Sequence, residues 1–338
     1  MKREAETNVA FTHGKLIDGT GADPTEDSLV LIKGQKIEYA GPYKKVPQEY
    51  VERNISEKTI MPGLIDSHVH FTGNESDDDT QWVLDDPTEK TVIAVQQARD
   101  AVESGLTTVG EISRSGVAIR NTINAGIIRG PRMVCTGLGF CRTSGHGDSH
   151  KLPLDYNNAS HPWAQRVDGP WNLRHAVRNR LRENVDAIKI WATGGGIWRH
   201  DDKLLQHYTQ EEINAVVDEC RMVHIPVWSH AEGYEGALAS AKAGVHLIIH
   251  GQTLNEECLD IMAEKESTSA QPFSSWNSGS RHILRSTTRN KTSTPVKLGR
   301  NANWRACTTT CGKRTQKESP WLLVRTRSAP HSLRTGRR

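Results

Sequence analysis

The stretch MPGLIDSHVHF, from Met61 to Phe71, carries near its end two histidines, His68 and His70, that are separated by one residue. Side chains alternate faces along a β-strand, so His68 and His70 point to one side while Val69 points to the other. Two interpretations are open at this point. The strand either carries two incidental polar residues or presents a pair of imidazoles to a metal ion, and the rest of the chain favours the second.

The composition is that of a globular protein. A chain of 338 residues with 36% hydrophobic content can bury the core of one large domain and a small one. It has neither an apolar run of about 18 residues nor the apolar segment of a signal peptide near its start, so we expect no membrane partner and a cytoplasmic location. The cysteines form no compact framework and are expected to be free thiols in a reducing compartment, at positions 135, 141, 220, 258, 307 and 311.

Charge divides the chain near residue 265. Residues 266–338 hold 15 Lys and Arg against two acids, a balance of +13. Residues 1–265 hold 28 basic and 38 acidic residues, a balance of −10. The tail also contains 22 Ser and Thr and no sustained apolar period, so we expect it to be disordered.

Residues 1–60 are predicted to form part of a small N-terminal β-sandwich. The segment SLVLIKGQKIEYAG has two β-rich runs that flank Lys33-Gly34-Gln35, which indicates a hairpin. The segment Gly19-Thr20-Gly21 is not followed by a predicted helix, so it does not predict a nucleotide-binding site.

From Met61 the pattern changes to strands that alternate with helices, which is typical of parallel βαβ units. The predicted strands are residues 61–71, 106–112, 131–139, 185–196, 225–233 and 245–252. The predicted helices are residues 89–105, 116–126, 171–184, 209–224, 234–244 and 255–265. Six such units over residues 61–265, with polar residues at strand ends, predict an α/β fold: an incomplete (β/α)₈ TIM-like barrel whose site lies at the carboxyl ends of the strands.

Five side chains at these strand ends are candidate metal ligands. They are His68, His70, Lys189, His230 and His250. Neutral imidazole is a preferred ligand of zinc, and one histidine at a strand end is common, whereas four at the same rim of a barrel are hard to explain as incidental. Lys189 lies between two isoleucines in a strand that is predicted to be buried, so its pKa should fall. A deprotonated lysine can add CO₂ to give a carbamate.

Four motifs in this order, MPGLIDSHVHF, AIKIWATGG, VWSHAEG and LIIHGQ, resemble those of the amidohydrolase superfamily. The segments GPRMVCTG, SGHGD and AIKIWATGGG resemble most the imidazolonepropionase-like and prolidase-like metal-dependent hydrolases, a group that includes ochratoxin-degrading amidases. The resemblance covers residues 9–265.

The resemblance implies a hydrolase that cleaves a C–N bond of a small-molecule amide, cyclic amide or dipeptide-like substrate through a metal-bound hydroxide. It implies two divalent metal ions: His68 and His70 would hold the first, a carboxylated Lys189 would bridge, and His230 and His250 would hold the second. Zinc is the default metal, and manganese or iron would suit the same ligands. Whether the chain forms a homo-oligomer is left open.

Residues 140–170 form a long polar segment, and loops of this length in compact domains are usually functional. His146 in this segment is a second catalytic candidate beside Lys189. It either faces the substrate or bonds its own loop through Asp148. The tryptophans at 191, 198 and 228 either line an aromatic pocket or pack in the barrel wall.

The family pattern also requires an aspartate at the end of strand 8, yet this chain has no Asp after Asp260. Read from the third base of each codon, with permitted third bases, residues 265–272 give GVYLSAT and residues 317–326 give GVTVAPGTD. These resemble strand 7 and a strand 8 that carries the missing aspartate. We therefore hypothesise a frameshift near Lys265.

Two other functions are considered. One is a catalytically dead metal-binding remnant of the same family, because the aspartate is missing. The other is nucleic-acid binding through the basic tail, which is not favoured because the tail lacks regularly interleaved aromatic residues. No nucleic-acid partner is therefore predicted.

Overall fold

The computed structural model describes residues 8–74, 78, 80–156 and 161–270. These divide into two compact units, residues 8–63 and residues 64–270. The first boundary thus falls three residues after the predicted one at residue 60. The predictions for the tail lie, from Gln271 onward, outside the described residues.

The first unit is β-rich, as predicted. Its strands are β1 (Val9–Leu16), β2 (Thr25–Lys33), β3 (Lys36–Pro42), β4 (Val51–Asn54) and β5 (Thr59–Ile60). They form one five-stranded sheet in the order β3-β2-β1-β4, with β5 also paired to β1. The predicted hairpin is confirmed, since β2 and β3 pair antiparallel around a turn in which Gly34 adopts a φ of 57°. That left-handed conformation favours glycine.

The second unit alternates strands and helices. Its strands are β6 (Leu64–Val69), β7 (Leu106–Glu111), β8 (Arg132–Cys135), β9 (Gly139–Cys141), β10 (Ala164–Arg166), β11 (Ile188–Trp191), β12 (Val227–Ala231), β13 (Leu247–His250) and β14 (Thr268–Ala270). Its helices are α1 (Gln81–Leu84), α2 (Pro87–Glu103), α3 (Gly116–Asn124), α4 (Pro170–Leu181), α5 (Gln210–Arg221), α6 (Tyr234–Ala243) and α7 (Glu256–Glu264), with a 3₁₀ turn at Leu154–Tyr156.

All strand pairs of the second unit are parallel. They form one sheet in the order β6-β7-β8 and another in the order β10-β9-β11-β12-β13-β14. Strand pairing does not close into a complete barrel within the described residues, so the predicted incomplete TIM-like barrel is confirmed. The main core lies between β11–β13 and helices α4–α7, where Ile188, Val227 and Ile248 pack against Val177 and Ile213.

The helices follow the predicted pattern closely. Helix α5 begins after Thr209, whose hydroxyl accepts from the backbone N–H of Glu212, and the Glu212 carboxylate in return accepts from the N–H of Thr209. This capping box was predicted from the sequence. The strands are shorter than predicted, since β6 spans only Leu64–Val69 of the segment 61–71.

Two features were missed. The long segment 140–170 contains two short strands, β9 and β10, that pair with each other. The parallel sheet also continues beyond residue 265, because Thr268–Ala270 pairs with β13. Both features involve three-residue strands, in which no hydrophobic period can be recognised.

In the described parts of the chain, every helix is too short or too polar to cross a bilayer. The four cysteines in these parts, Cys135, Cys141, Cys220 and Cys258, are buried and form no disulfides. Burial raises the pKa of each of these thiols above its usual value. They are therefore inert core residues.

Candidate active site

The side chains of strand β11 point alternately to two faces of the sheet, one against the helices and one toward the candidate site. Ile188 and Ile190 pack into the core beneath the helices, whereas Trp191 belongs to a separate cluster with Trp228 and Ile249. By alternation Lys189 shares the face of Trp191. The Lys189 side chain is fully buried and its Nζ makes no hydrogen bond. Burial lowers the pKa of this amine well below its ordinary value.

Strand β12 places His230 on the same face. It pairs with β11 so that Trp191 lies opposite His230 and Lys189 lies opposite Trp228. The intervening Ser229 points toward the helices, where its hydroxyl bonds that of Ser240 in α6. This register, together with alternation along each strand, brings Lys189 and His230 to one side of the sheet.

His250 reaches this side by a different route. Ile249 packs with Trp191 and Trp228, so simple alternation would turn His250 toward the helices. However, His250 adopts a φ of 75°, a left-handed conformation that is uncommon for residues other than glycine. Its ring consequently lies 4.5 Å from that of His230, centroid to centroid. Backbone strain of this kind is typical of functional sites and costs on the order of 1–3 kcal/mol.

This strain predicts a difference between two substitutions at position 250. His250→Gly and His250→Ala both remove the imidazole, but only alanine retains a Cβ that clashes in the left-handed region. We expect the glycine variant to be more stable by about 1 kcal/mol. Urea unfolding in the presence of a chelator measures the difference. Equal stabilities, or a more stable alanine variant, would show that the positive φ carries no strain.

The two histidines of the first motif lie beside this group. The His68 ring is 4.8 Å from that of His70 and 5.3 Å from that of His250. The Nδ1 atom of His70 lies 2.7 Å from the carbonyl oxygen of Ile112, which can only accept a hydrogen bond. His70 Nδ1 therefore carries the proton, and Nε2 keeps a lone pair.

The tautomer of His230 is set in the same way. Its Nε2 lies 2.9 Å from the carbonyl oxygen of Gly194, so Nε2 donates and Nδ1 keeps the lone pair. A metal-binding histidine usually donates its other ring N–H to a carbonyl or carboxylate, which fixes the ring. Both His70 and His230 have this arrangement.

Burial lowers the pKa of three histidines of the cluster, which favours their neutral forms. Burial, followed by the nearby histidines and Lys189, holds the pKa of His68 and of His230 well below the ordinary value. Burial and then Lys189 have the same effect on His250. Neutral imidazole is the form that binds metal ions. The structure thus brings all five predicted ligands together, and their role as ligands stays a prediction.

His146 lies at the edge of the cluster, stacked on His230 with ring centroids 4.9 Å apart. Its Nδ1 bonds the carboxylate of Asp201, at 2.8 Å, rather than its own loop through Asp148. Asp201 is fully buried and also accepts from the backbone N–H groups of Gly195 and Ile197. Burial would raise the pKa of Asp201, but His146 and these N–H groups hold it below its usual value.

Sequence reasoning missed Asp201 and also Glu232. Glu232 is buried two residues after His230, with Oε1 3.8 Å from His230 Nε2 and Oε2 3.2 Å from Lys203 Nζ. The predicted strand 225–233 contains Glu232 two residues after His230, so alternation within that strand was a signal that could have found Glu232. In the structure, β12 ends at Ala231, one residue before it.

A cavity of about 490 Å³ adjoins Glu232. Its walls include Trp198, Arg199, Lys203 and Thr253. Of the three tryptophans named above, Trp198 lines this cavity, whereas Trp191 and Trp228 are buried in the core.

The model of the amidohydrolase family matches residues 59–268, well over half of the chain. The chain therefore belongs to the amidohydrolase family. This amidohydrolase resembles ochratoxinase of Aspergillus niger, with 28% identity over 279 residues that cover 78% of this chain and 58% of that enzyme. It spans, therefore, little more than half the length of this relative. Imidazolonepropionase of Brucella abortus is 31% identical over 72 residues, which cover 19% of this chain and 18% of that enzyme.

Solved structures support the same assignment. The crystal structure of A. niger ochratoxinase matches with a TM-score of 0.69 and 26% identity, over 78% of this chain and 65% of that one. A Xaa-Pro dipeptidase with methionine bound in its active site matches with a TM-score of 0.69 and 29% identity, over 78% and 66%. Both matches agree with the TIM-like barrel and N-terminal β-rich unit described above.

Proposed function

We propose that this amidohydrolase is a metal-dependent enzyme that hydrolyses the C–N bond of a small amide or dipeptide-like molecule. The observation that carries the proposal is that the rings of four histidines, at 68, 70, 230 and 250, lie side by side, while the buried Lys189 faces the same side of the sheet as His230. Ochratoxinase and Xaa-Pro dipeptidase, to which the chain is similar, support an amide or peptide bond as the target.

The donor set fits divalent metal ions. Lys189 Nζ and His250 Nδ1 are buried without a hydrogen-bond partner, an arrangement that is costly unless a further group satisfies them. We propose that His68 and His70 hold one ion, that His230 and His250 hold another, and that Lys189 bridges as its carbamate. Bound there, such ions would polarise a substrate carbonyl and activate water. Zinc is the default, since imidazole nitrogen dominates the set.

Neighbouring residues of the protein fix the orientation of the histidine rings. The carbonyl oxygens of Ile112 and Gly194 fix which nitrogen of His70 and of His230 faces inward. Asp201 holds the proton of His146 on Nδ1, so the Nε2 of a neutral His146 can accept a hydrogen bond from substrate or water. We propose His146 as the residue that positions the substrate beside His230.

The cavity beside Glu232 supports a small-molecule substrate, because its volume of about 490 Å³ is in the usual range for such sites. Arg199 and Lys203 on its wall could pair with a carboxylate, and Trp198 could pack against an apolar group. A dipeptide carries both features. We therefore propose N-acyl amino acids and dipeptides as the first substrates to test.

A metal-binding remnant without activity is the second candidate. It is favoured by one observation, the lack of any Asp after Asp260. Bound metal without hydrolysis would support the remnant, and bound metal with hydrolysis would support the enzyme.

The test combines metal analysis with a hydrolysis screen on the full chain. After incubation with zinc, cobalt or manganese, we expect bound metal and release of amino acid from at least one dipeptide or N-acyl amino acid. His230→Ala should lose the metal and at least about a hundredfold of the rate. His175→Ala, an exposed histidine of α4, is the matched control and should behave like the unmodified chain. Failure of the unmodified chain to bind any of the three metals would refute the proposed site.

A cytoplasmic location remains part of the proposal. It is supported by the four buried, unpaired cysteines, which suit a reducing compartment. Fractionation of the cells that produce the protein tests the location, and recovery outside the cytoplasm would contradict it.

A further inference from the structure

The carboxylate of Glu232 lies within the histidine cluster, although the ligand set described above does not include it. One donor atom from each of His230, Glu232 and His250 lies within 4.8 Å of the others. The donors of a tetrahedral zinc site lie about 3.4 Å apart, so small side-chain shifts would bring these three onto one ion. Two imidazoles and one glutamate form a known donor set of catalytic zinc sites.

The backbone holds Glu232 in place from both sides. Its N–H donates to the Thr193 hydroxyl at 2.9 Å, and its carbonyl oxygen accepts from the Thr253 hydroxyl at 2.7 Å. Thr193 follows β11 and Thr253 follows β13, so segments at the ends of the two strands that flank β12 hold the backbone of Glu232. The side chain of Glu232 therefore starts from a fixed position beside the cluster.

One buried atom in this group, His250 Nδ1, has no hydrogen-bond partner. The buried Glu232 Oε2 has the Lys203 ammonium 3.2 Å away. His250 is also held toward the cluster by its positive φ. A strained backbone that directs an unpartnered imidazole at a buried carboxylate indicates that a further group belongs between them.

Charge balance supports the same conclusion. The four imidazoles and the lysine amine of the cluster contribute no negative charge, and an anionic ligand would stabilise a buried divalent cation. Asp201, a neighbouring buried acid, is already committed to His146 and two backbone N–H groups. The cation paired with Glu232 is Lys203, whose side chain is 45% exposed and can turn to solvent.

We propose that Glu232 is a metal ligand and forms, with His230 and His250, a three-ligand site that holds one divalent ion without the Lys189 carbamate. The inference rests on the metal centre of the proposed function. It differs from that centre in requiring neither CO₂ nor an aspartate from beyond Asp260.

The test is a titration of the metal-free full chain with cobalt(II) in CO₂-depleted buffer, followed by visible absorption and calorimetry. We expect one ion per chain in the unmodified protein and in Lys189→Met. We expect Glu232→Gln to weaken this binding at least about tenfold. Glu235→Gln, which alters an exposed carboxylate three residues away, is the matched control and should bind like the unmodified chain.

Two further variants keep the test decisive if Glu232→Gln folds poorly. Glu232→His retains a donor and should retain the ion. Lys203→Met removes the ammonium that competes with the metal ion for the Glu232 carboxylate, so it should tighten cobalt binding. If Glu232 only pairs with Lys203, this variant should leave the affinity for cobalt unchanged.

The outcomes separate the two proposals. Equal affinity of the unmodified chain, Glu232→Gln and Lys203→Met would overturn the assignment of Glu232 and leave the metal centre intact. Loss of the ion in Lys189→Met, or binding that appears only with bicarbonate, would overturn it as well. A chain that binds no cobalt under either condition would refute both proposals.

Discussion

Restoring the shifted reading frame after Lys265 is expected to raise the rate of amide hydrolysis at least about a hundredfold over that of the present chain. The resemblance to the amidohydrolase superfamily implies that an aspartate at the end of strand 8 would contact a metal and transfer a proton to the leaving amine. General acid–base catalysis contributes typically 10²–10⁴-fold, and the present chain has no Asp after Asp260 to provide it.

The seventh strand supports the frame hypothesis. Strand β14 occupies Thr268–Ala270, within the segment that reads GVYLSAT in the shifted frame. Its present residues Thr-Ser-Ala offer little apolar surface, whereas the shifted reading supplies Val, Tyr and Leu for the core. We propose that the shifted sequence forms a longer and better packed strand at this place.

The comparison requires the present chain, the restored chain and a restored chain whose new aspartate is changed to asparagine. Turnover of a common dipeptide or N-acyl amino acid is measured for all three after metal loading. The asparagine variant should fall back toward the present chain. Equal turnover by the present and restored chains would refute the role of the aspartate, and a transcript with an intact open frame for residues 265–338 would end the frameshift hypothesis.

Lys189→Met is expected to stabilise the metal-free protein by about 1–3 kcal/mol, even though it removes a proposed ligand. Lys189 is fully buried and its Nζ makes no hydrogen bond, so the folded state bears the full desolvation cost of the amine. Methionine has a similar length and no polar donor. The prediction follows from the general trade-off between stability and a functional site.

Urea unfolding in the presence of a chelator measures this gain. Lys242→Met, which replaces an exposed lysine in the last turn of α6, is the matched control and should change the free energy of unfolding by less than about 0.5 kcal/mol. An unchanged or lower stability for Lys189→Met would contradict the prediction and would indicate that the amine is satisfied in the metal-free protein.

Much of the fold could be predicted from local pattern. Apolar spacing and the Thr209–Glu212 capping box located α5, and alternation of strands and helices indicated the barrel. The short strands β9, β10 and β14 could not be predicted, because a three-residue strand is held by its partners in the sheet. Those partners are distant in sequence, so no local period reports them.

For the site, the sequence by itself determined which strands carry the histidines and that Lys189 lies in a buried strand, since apolar runs and alternation are local properties. Only the tertiary structure decided the rest. Alternation along β13 would place the His250 ring on the side of the helices, but a positive φ turns it toward the other histidines. His146 is held by Asp201 from 55 residues away, and Glu232 reaches the cluster from beyond the end of β12. The backbone turn at His250 and the contact of His146 with Asp201 arise only after the sheet and its loops have formed, and a periodic pattern in the chain carries no information about either.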